Sequence, residues 1–294
     1  MEQNLSLPVE IKMVANEPTP GELFVCSAKI KPEAGEPLKI AFEADKNIPE
    51  YLEHLYHNHL AYAYEHIEKY FQAGPSVDFK EIVYVFKTEN IDEAKQLMHN
   101  DPFYKEGFYY DDSWFPWEIH SPRWKTPEHW KETHNNFLAN VGIIPKYLQG
   151  IKQPVEEVRI DEITPYKLFA SFCKMNEKIM QPWMAPESTT SLASFIQHVY
   201  YCNGPGGVGT MGYHWLAGPS TDFSQDLTIL SVNSLFMAQL VRENDPLVKI
   251  NAFYDISYFE WCIHLPVRKA SPQHKDKLKK FLQDAGISLP KREL

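Results

Sequence analysis

Two stretches of this 294-residue chain, 144 positions apart, share much of their sequence. Between Ala73 and Pro122, 19 of 50 positions match their counterparts between Ala217 and Pro266 without a gap. Periods of roughly 20 to 50 residues indicate solenoids or propellers, whereas a period of this length is that of a whole domain. The sequence therefore predicts two related, domain-sized halves.

The composition excludes several classes of protein. Hydrophobic residues make up 44% of the chain and charged residues 23%, as in an ordinary globular protein. The net charge of -10 argues against a nucleic-acid partner, because counterion release requires a basic surface. No stretch approaches the roughly 20 apolar residues of a membrane span, and the N-terminus lacks the pattern of a signal peptide. The four cysteines show no C-x-x-C spacing, so we expect reduced thiols and a cytoplasmic protein.

The pattern of apolar residues predicts the same order of elements, β-α-β-β-α-β, in both halves, which is that of a ferredoxin-like unit. In the first half the predicted elements are strand 22–30, helix 49–67, a short strand ending at 73, strand 79–86, helix 91–100 capped by Asn90, and strand 108–119. In the second half they are strand 168–175, helix 191–201 capped by Thr189 or Thr190, strands 213–216 and 227–232, helix 235–243, and strand 252–263.

The predicted domains follow from these elements. Residues 1–122 form the first domain and residues 165–294 the second, which ends in a surface helix at 271–285. Between them, residues 123–164 supply a connecting helix at about 126–141 and a linker. We expect an α+β fold made of two ferredoxin-like repeats.

The halves differ at a glycine-rich segment, Asn203 to Thr210. Five of the six residues from Gly204 to Gly209 are glycine or proline, which a helix interior does not tolerate. With the 144-residue offset carried back to this point, the segment stands opposite His59 to His66 of the first helix. We therefore predict that the second half has a loop where the first continues its helix, and that this loop borders the main cavity.

Three short motifs resemble the YCII-related proteins of the dimeric α+β barrel superfamily. They are Asn58-His59-Leu60, Ala73-Gly74-Pro75 and Asn100-Asp101-Pro102-Phe103. The resemblance covers about residues 20 to 122 and, more weakly, 165 to 268. It implies that the two units pack their sheets into one barrel, here as an intramolecular pseudodimer, and it leaves a homodimer of such pseudodimers open.

The resemblance also implies a His and Asp pair that acts in acid-base chemistry, and the matching residues are His59 and Asp101. An imidazole beside a carboxylate is suited to proton transfer near neutral pH. The 144-residue offset places Asn203 and Asp245 in the corresponding positions of the second half. We therefore expect one intact pair, with Asn203 and Asp245 contributing to substrate binding.

Other polar and aromatic residues are further candidates for the site. His54 and His57 are neighbours on the predicted helix and offer two metal ligands, but surface histidines explain the pattern as well. Asp111 is a second candidate carboxylate, although the recurrence of its Tyr-Asp pair in the second half favours a structural role. Trp114 is a candidate wall of an apolar pocket. We expect His54, Asp111 and Trp114 to bind substrate, and neither a metal nor a cofactor to be required.

These features favour a cofactor-independent lyase or isomerase that acts on a small apolar molecule, aromatic or polyketide-like. His59 is the expected base and Asp101 orients it, in a dehydration, dehydrohalogenation or cyclisation. The alternatives are a cofactor-free monooxygenase, a haem-dependent dehydratase, and a non-catalytic ligand-binding or scaffold protein.

Overall fold

A computed structural model of the chain describes residues 22–43, 49–121, 167–179, 189–204, 207–209 and 211–262. The connecting helix at 126–141, the linker and the C-terminal surface helix predicted from sequence lie outside these residues. The first repeat contains, in chain order, β1 (Glu22–Ile30), α1 (Pro32–Glu43), α2 (Glu50–Glu65), a 3-10 turn (Ile67–Lys69), β2 (Tyr70–Pro75), β3 (Glu81–Thr88), α3 (Ile91–Asn100), α4 (Pro102–Lys105) and β4 (Tyr109–Trp117).

The second repeat has the same order of strands. Its elements are β5 (Lys167–Met175), α5 (Thr189–Asn203), β6 (His214–Pro219), β7 (Gln225–Val232), α6 (Leu235–Glu243), α7 (Pro246–Lys249) and β8 (Phe253–Trp261). Helix α1 was not predicted, because Gly35 and Pro37 interrupt its helical pattern. α5 begins at Thr189, two residues before the predicted start at residue 191.

Each repeat builds one four-stranded sheet with helices, as predicted for a ferredoxin-like α+β fold. The strand order is β2-β3-β1-β4 in the first sheet and β6-β7-β5-β8 in the second. β3 pairs antiparallel with both β1 and β2, and β7 does the same with β5 and β6. The expected barrel concerns the placement of the two sheets and stays a prediction.

Local sequence explains where the helices after β3 and β7 begin. The Asn90 side chain accepts a hydrogen bond from the Glu93 amide and caps α3, as predicted. Ser234 caps α6 in the same way by accepting from the Met237 amide. Both helices end before an Asp-Pro pair, because proline has no amide hydrogen to donate to the carbonyl four residues earlier. The proline opens a second, short helix instead.

The chain divides into two compact units that do not coincide with the two repeats. Among the described residues, the first unit comprises those of 22–116 together with 260–262, and the second unit comprises those of 117–259. In the latter unit the amides of Glu118 and His120 donate to the carbonyls of Pro219 and Ala217. In the former, the Cys262 amide donates to the Pro75 carbonyl. Each unit thus includes backbone from the end of the other repeat's last strand.

Two tryptophans fix these strand ends in the same manner. Trp117 is buried and its indole Nε1 donates to the Gly218 carbonyl at 2.8 Å. Trp261 is buried and its Nε1 donates to the Gly74 carbonyl at 2.8 Å. The glycine carbonyl of each Ala-Gly-Pro motif therefore accepts from a tryptophan at the end of the other repeat's last strand. At Gly218 a Cβ atom would lie 1.8 Å from the Glu118 carbonyl oxygen, so only glycine fits.

No helix among the described residues is both long enough and apolar enough to span a membrane.

We predict that Gly218→Ala lowers the free energy of unfolding by roughly 3 kcal/mol, because the added methyl overlaps backbone that cannot move away by a change of rotamer. Urea denaturation followed by circular dichroism measures the change. The control is Gly35→Ala, in α1, where the Cβ atom would lie 3.1 Å from the Phe79 carbonyl oxygen. We expect that variant to stay within about 1 kcal/mol of the wild type. Equal losses in the two variants would contradict the close approach at Gly218.

Candidate functional site

The first unit contains a buried pair of His59 and Asp101. The imidazole Nδ1 lies 2.7 Å from Asp101 Oδ2, with the two residues 1% and 0% exposed. Because a carboxylate only accepts, Nδ1 carries the hydrogen and donates it. The other oxygen, Oδ1, accepts from the Phe103 amide and caps α4. The residues that the sequence proposes as a pair are therefore in direct contact.

Aromatic rings surround this pair. The Phe103 ring centroid lies 4.7 Å from that of His59, and Tyr56 stacks on the imidazole at 6.4 Å. Burial and the charge of Asp101 raise the pKa values of three further phenols well above their ordinary value, namely Tyr70, Tyr84 and Tyr109. These phenols therefore stay neutral and keep their hydroxyl hydrogens, so they remain hydrogen-bond donors.

The second unit contains a second pair, which corrects the prediction that only one is intact. His198 Nδ1 lies 2.8 Å from Asp245 Oδ1 and 3.0 Å from Oδ2. Asp245 Oδ1 also accepts from the Leu247 amide, as Asp101 does from Phe103. Burial alone would lower the pKa of His198, but Asp245 and Cys202 outweigh it and raise that pKa well above its ordinary value. The partner of Asp245 is thus His198 and not Asn203.

The offset between the two helices explains the error. Glu50 opens α2 and Thr189 opens α5, so these helices correspond at an offset of 139, whereas the strands that follow correspond at 144. The glycine-rich segment therefore contains a five-residue insertion that follows the helix, and the prediction that it replaces helix is wrong. The sequence does contain a signal for this alignment: an aromatic residue, His and Tyr at spacings of three occur in both helices, beginning at Tyr56 and at Phe195.

The tyrosines of this motif confirm the corrected alignment. The hydroxyl of Tyr62 donates to the Leu97 carbonyl at 3.0 Å, and that of Tyr201 donates to the Val241 carbonyl. Leu97 and Val241 are counterparts at the 144-residue offset. In each unit the helix is therefore bound to its neighbour through the tyrosine and, one turn earlier, through the histidine.

The interior of the second unit is charged where that of the first is apolar. Arg242 is 2% exposed, and its Nη2 donates to Asp226 Oδ1 at 2.8 Å and to Cys173 Sγ at 3.1 Å. The counterparts of Arg242 and Asp226 in the first repeat are Met98 and Ile82, both buried. Burial raises the pKa of Asp226, although Arg242 opposes this. This ion pair was not predicted from the sequence.

Besides His198, the interior of the second unit contains His214. His214 is 3% exposed, and its Nδ1 lies 2.9 Å from the hydroxyl oxygen of Ser121. Burial and the positive charge of Arg242 lower the pKa of His214 to about 3. Asp245 acts in the opposite direction and His198 in the same direction as Arg242. His214 is therefore a neutral imidazole at any pH near 7.

The glycine-rich segment folds back on the end of α5. The amides of Val208 and Gly209 donate to the carbonyls of Tyr201 and Cys202, both at 2.8 Å. A Cβ atom at Gly209 would lie 2.4 Å from the Cys202 carbonyl oxygen, so glycine is required for this approach. The segment thus provides hydrogen bonds for the last carbonyls of the helix. That it borders a cavity stays a prediction.

The remaining predicted site residues lie apart from the buried pairs. His54 is exposed, and its Nδ1 lies 3.3 Å from Asn58 Nδ2. Asp111 is exposed, and its carboxylate forms an ion pair with Lys29 at 2.7 Å. Its own backbone φ is 53°. Trp114 stacks on Phe86 and donates to Asp112. Their binding of substrate stays a prediction.

Asn203 is the last residue of α5 and is 7% exposed. Its side-chain oxygen has no hydrogen-bond partner among the described residues. It does not occupy the position of His59, for which it was proposed, and its binding of substrate also stays a prediction.

No protein-family model and no curated protein matches the chain. Solved structures that resemble it include a candidate monooxygenase from Lactobacillus acidophilus NCFM, at 6% identity over 83% of this chain and 94% of that chain, with a TM-score of 0.40. A candidate chlorite dismutase has 8% identity over 84% and 98% of the two chains, with a TM-score of 0.44. The siroheme decarboxylase NirDL has 10% identity over 90% and 79%, with a TM-score of 0.38. At this level none of them bears on the activity of this chain.

We predict that His214 makes the protein sensitive to acid. Its pKa is about 3 in the folded state, from burial above all, and about 6.5 in the unfolded chain. Below pH 6.5 only the unfolded chain takes up this proton, so stability falls as the pH falls. From pH 6.5 to pH 4.5 the loss attributable to His214 is about 2 kcal/mol.

Urea denaturation of the wild type and of His214→Gln across this pH range measures the effect. Other carboxylates titrate in both proteins, so the informative quantity is the difference between the two free energies of unfolding. We expect His214→Gln to gain on the wild type as the pH falls. A difference that does not change with pH would show that His214 is protonated in the folded protein.

Proposed function

We propose that this chain is an enzyme that moves a proton on a small apolar molecule, as a lyase or isomerase, with His59 and Asp101 as its catalytic pair. The observation that supports it most strongly is the 2.7 Å contact between His59 Nδ1 and Asp101 Oδ2 inside the protein. A carboxylate in this position fixes the tautomer and the orientation of the imidazole. The other ring nitrogen, Nε2, then serves as the base and afterwards as the acid.

The surroundings of the pair suit a reaction that develops negative charge on oxygen. Neutral phenols act as donors to an enolate or a similar oxyanion, and in a water-excluded interior such donors are worth more than in water. Tyr70, Tyr84 and Tyr109 are neutral groups near Asp101. The substrate that fits is a molecule with a carbonyl group next to an acidic C–H bond. Aromatic and polyketide-like compounds include many such molecules.

The low exposure of His59 adds a condition to this proposal. At 1% exposure the imidazole meets a substrate only when the packing around it opens, and that packing includes the rings of Tyr56 and Phe103. Such openings occur on the microsecond to millisecond timescale in many enzymes and can limit turnover. We therefore expect turnover to depend on the packing of α2 as well as on the basicity of His59.

The experiment measures exchange of carbon-bound hydrogen with deuterium from D₂O, by NMR, over a panel of small unsaturated lactones and aromatic β-keto compounds. We expect His59→Gln to lower the exchange rate of an accepted compound by at least about 100-fold, because a general base contributes about 10² to 10⁴ in rate. Asp101→Asn keeps an oxygen that can cap α4, but it removes the charge and places an NH2 donor where Oδ2 accepts from His59. We expect it to lower the rate less than His59→Gln does.

Two controls separate catalysis from folding. Glu53→Gln changes an exposed residue on the same helix that has no proposed role, and it should keep full activity. Asn203→Ala should be near neutral unless Asn203 binds substrate, as predicted from the sequence, in which case the variant loses activity but still folds. Circular dichroism and urea denaturation show whether each variant folds. A His59→Gln variant that folds and keeps the wild-type rate would refute the proposed role, and saturable binding of a panel compound without any exchange would indicate a binding protein instead.

A further inference from the structure

Cys202 lies one helical turn after His198, next to the second His–Asp pair. Its Sγ is 3.7 Å from both ring nitrogens of His198. The ligand atoms of His198, Cys202 and Asp245 all lie within 4.8 Å of one another. Residues four apart share one face of a helix, so the histidine and the cysteine are both presented to the turn that holds Asp245.

These separations are close to those around a tetrahedral metal ion. With Zn–S near 2.3 Å and Zn–N near 2.0 Å, sulfur and nitrogen on one zinc ion stand about 3.5 Å apart. The 3.7 Å between Cys202 Sγ and His198 Nδ1 agrees with this. Nitrogen and carboxylate oxygen would stand about 3.3 Å apart. Binding therefore requires the 2.8 Å contact between His198 and Asp245 to widen by about half an ångström.

The charges in this interior also balance. Burial raises the pKa of the Cys202 thiol, so the thiolate forms only as the metal displaces its proton. The thiolate and the Asp245 carboxylate then carry two negative charges, which a divalent cation neutralises. The metal also displaces the proton that Asp245 helps to hold on His198, and Arg242, the other cation of this interior, is already paired with Asp226 at 2.8 Å. The buried region would thus have no net charge with the metal in place, which matters because an unpaired charge in a protein interior is costly.

We propose that His198, Cys202 and Asp245 bind a divalent cation of the zinc class. A thiolate and an imidazole in one set of ligands favour zinc and similar metals over Mg²⁺ and Ca²⁺, which prefer oxygen. Three protein ligands leave the fourth tetrahedral position for water, as in catalytic zinc sites. The His198 side chain is 20% exposed, whereas that of Asp245 is 2% exposed, so the metal would enter on the histidine side.

The first repeat provides an internal comparison. Its His59 and Asp101 pair has the same arrangement, but the counterpart of Cys202 is Ala63 at the 139-residue offset. The thiol therefore distinguishes the two pairs. This proposal does not depend on the function proposed for His59, because it concerns the other unit and another kind of chemistry.

The experiment titrates tag-free, chelator-treated protein with Co²⁺, a spectroscopic substitute for Zn²⁺. We expect one equivalent to bind and to give both the near-ultraviolet charge-transfer band of a cobalt-thiolate bond and the visible bands of a tetrahedral ion. Zn²⁺ should displace the cobalt. Calorimetry with Zn²⁺ then measures the affinity. A wild-type protein that gives no thiolate band, or binds no equivalent tightly, overturns the proposal without recourse to any variant.

Matched variants identify the ligands. Cys202→Ala introduces the residue that the first repeat carries, and we expect it to lose the thiolate band and more than about 100-fold in Zn²⁺ affinity, since even residues behind a ligand contribute 10- to 100-fold. His198→Gln should weaken binding comparably. Cys262→Ser, at the exposed cysteine, and His59→Gln should bind like the wild type. Unchanged binding in Cys202→Ala, or loss of binding in Cys262→Ser, would place the metal elsewhere.

Discussion

One buried aspartate in each repeat determines how the helices meet. It is Asp101 at the start of α4 in the first repeat and Asp245 at the start of α7 in the second. Asp101 uses one oxygen to cap α4 and the other to accept from His59. A buried carboxylate without partners would be costly, and here both oxygens are hydrogen-bonded. The histidine in turn fixes the rotation and height of α2 on the sheet. Asp245 and His198 repeat this arrangement, although the two helices differ at most other positions.

Around this common bond the two interiors have diverged in opposite chemical directions. The first holds neutral phenols, whereas the second holds a buried Arg242–Asp226 ion pair and a thiol. A buried ion pair contributes little net stability relative to apolar residues of similar size, but loss of one partner is strongly destabilising. The second unit is therefore less tolerant of substitution in its interior than the first. Such a difference is expected when one copy of a duplicated domain keeps or acquires a task that the other lacks.

Much of the fold could be predicted from the sequence because it depends on local signals. The limits of α3 follow from Asn90 and Pro102, and those of α6 from Ser234 and Pro246. The pairing of His59 with Asp101 was predicted from the family resemblance, and the two side chains are in contact in the structure. The second pair was missed because the offset that relates the strands was also applied to the preceding helices. A five-residue insertion separates those helices from the strands, so the helices correspond at a smaller offset. Insertions change an alignment without changing any pattern of apolar residues, so only the recurrence of the aromatic–His–Tyr spacing could have revealed it.

The division of the chain has a consequence for the order in which it can fold during synthesis. Residues 117–259 form a continuous stretch, so the second unit has all of its described residues once Phe259 has been made. The first unit needs residues 260–262, which are made more than 140 residues after Pro116. Closing so long a loop is slow compared with local pairing. The first repeat therefore leaves the ribosome first, but its unit is completed last. Until then the carbonyls of Gly74 and Pro75 lack their hydrogen bonds from Trp261 and Cys262.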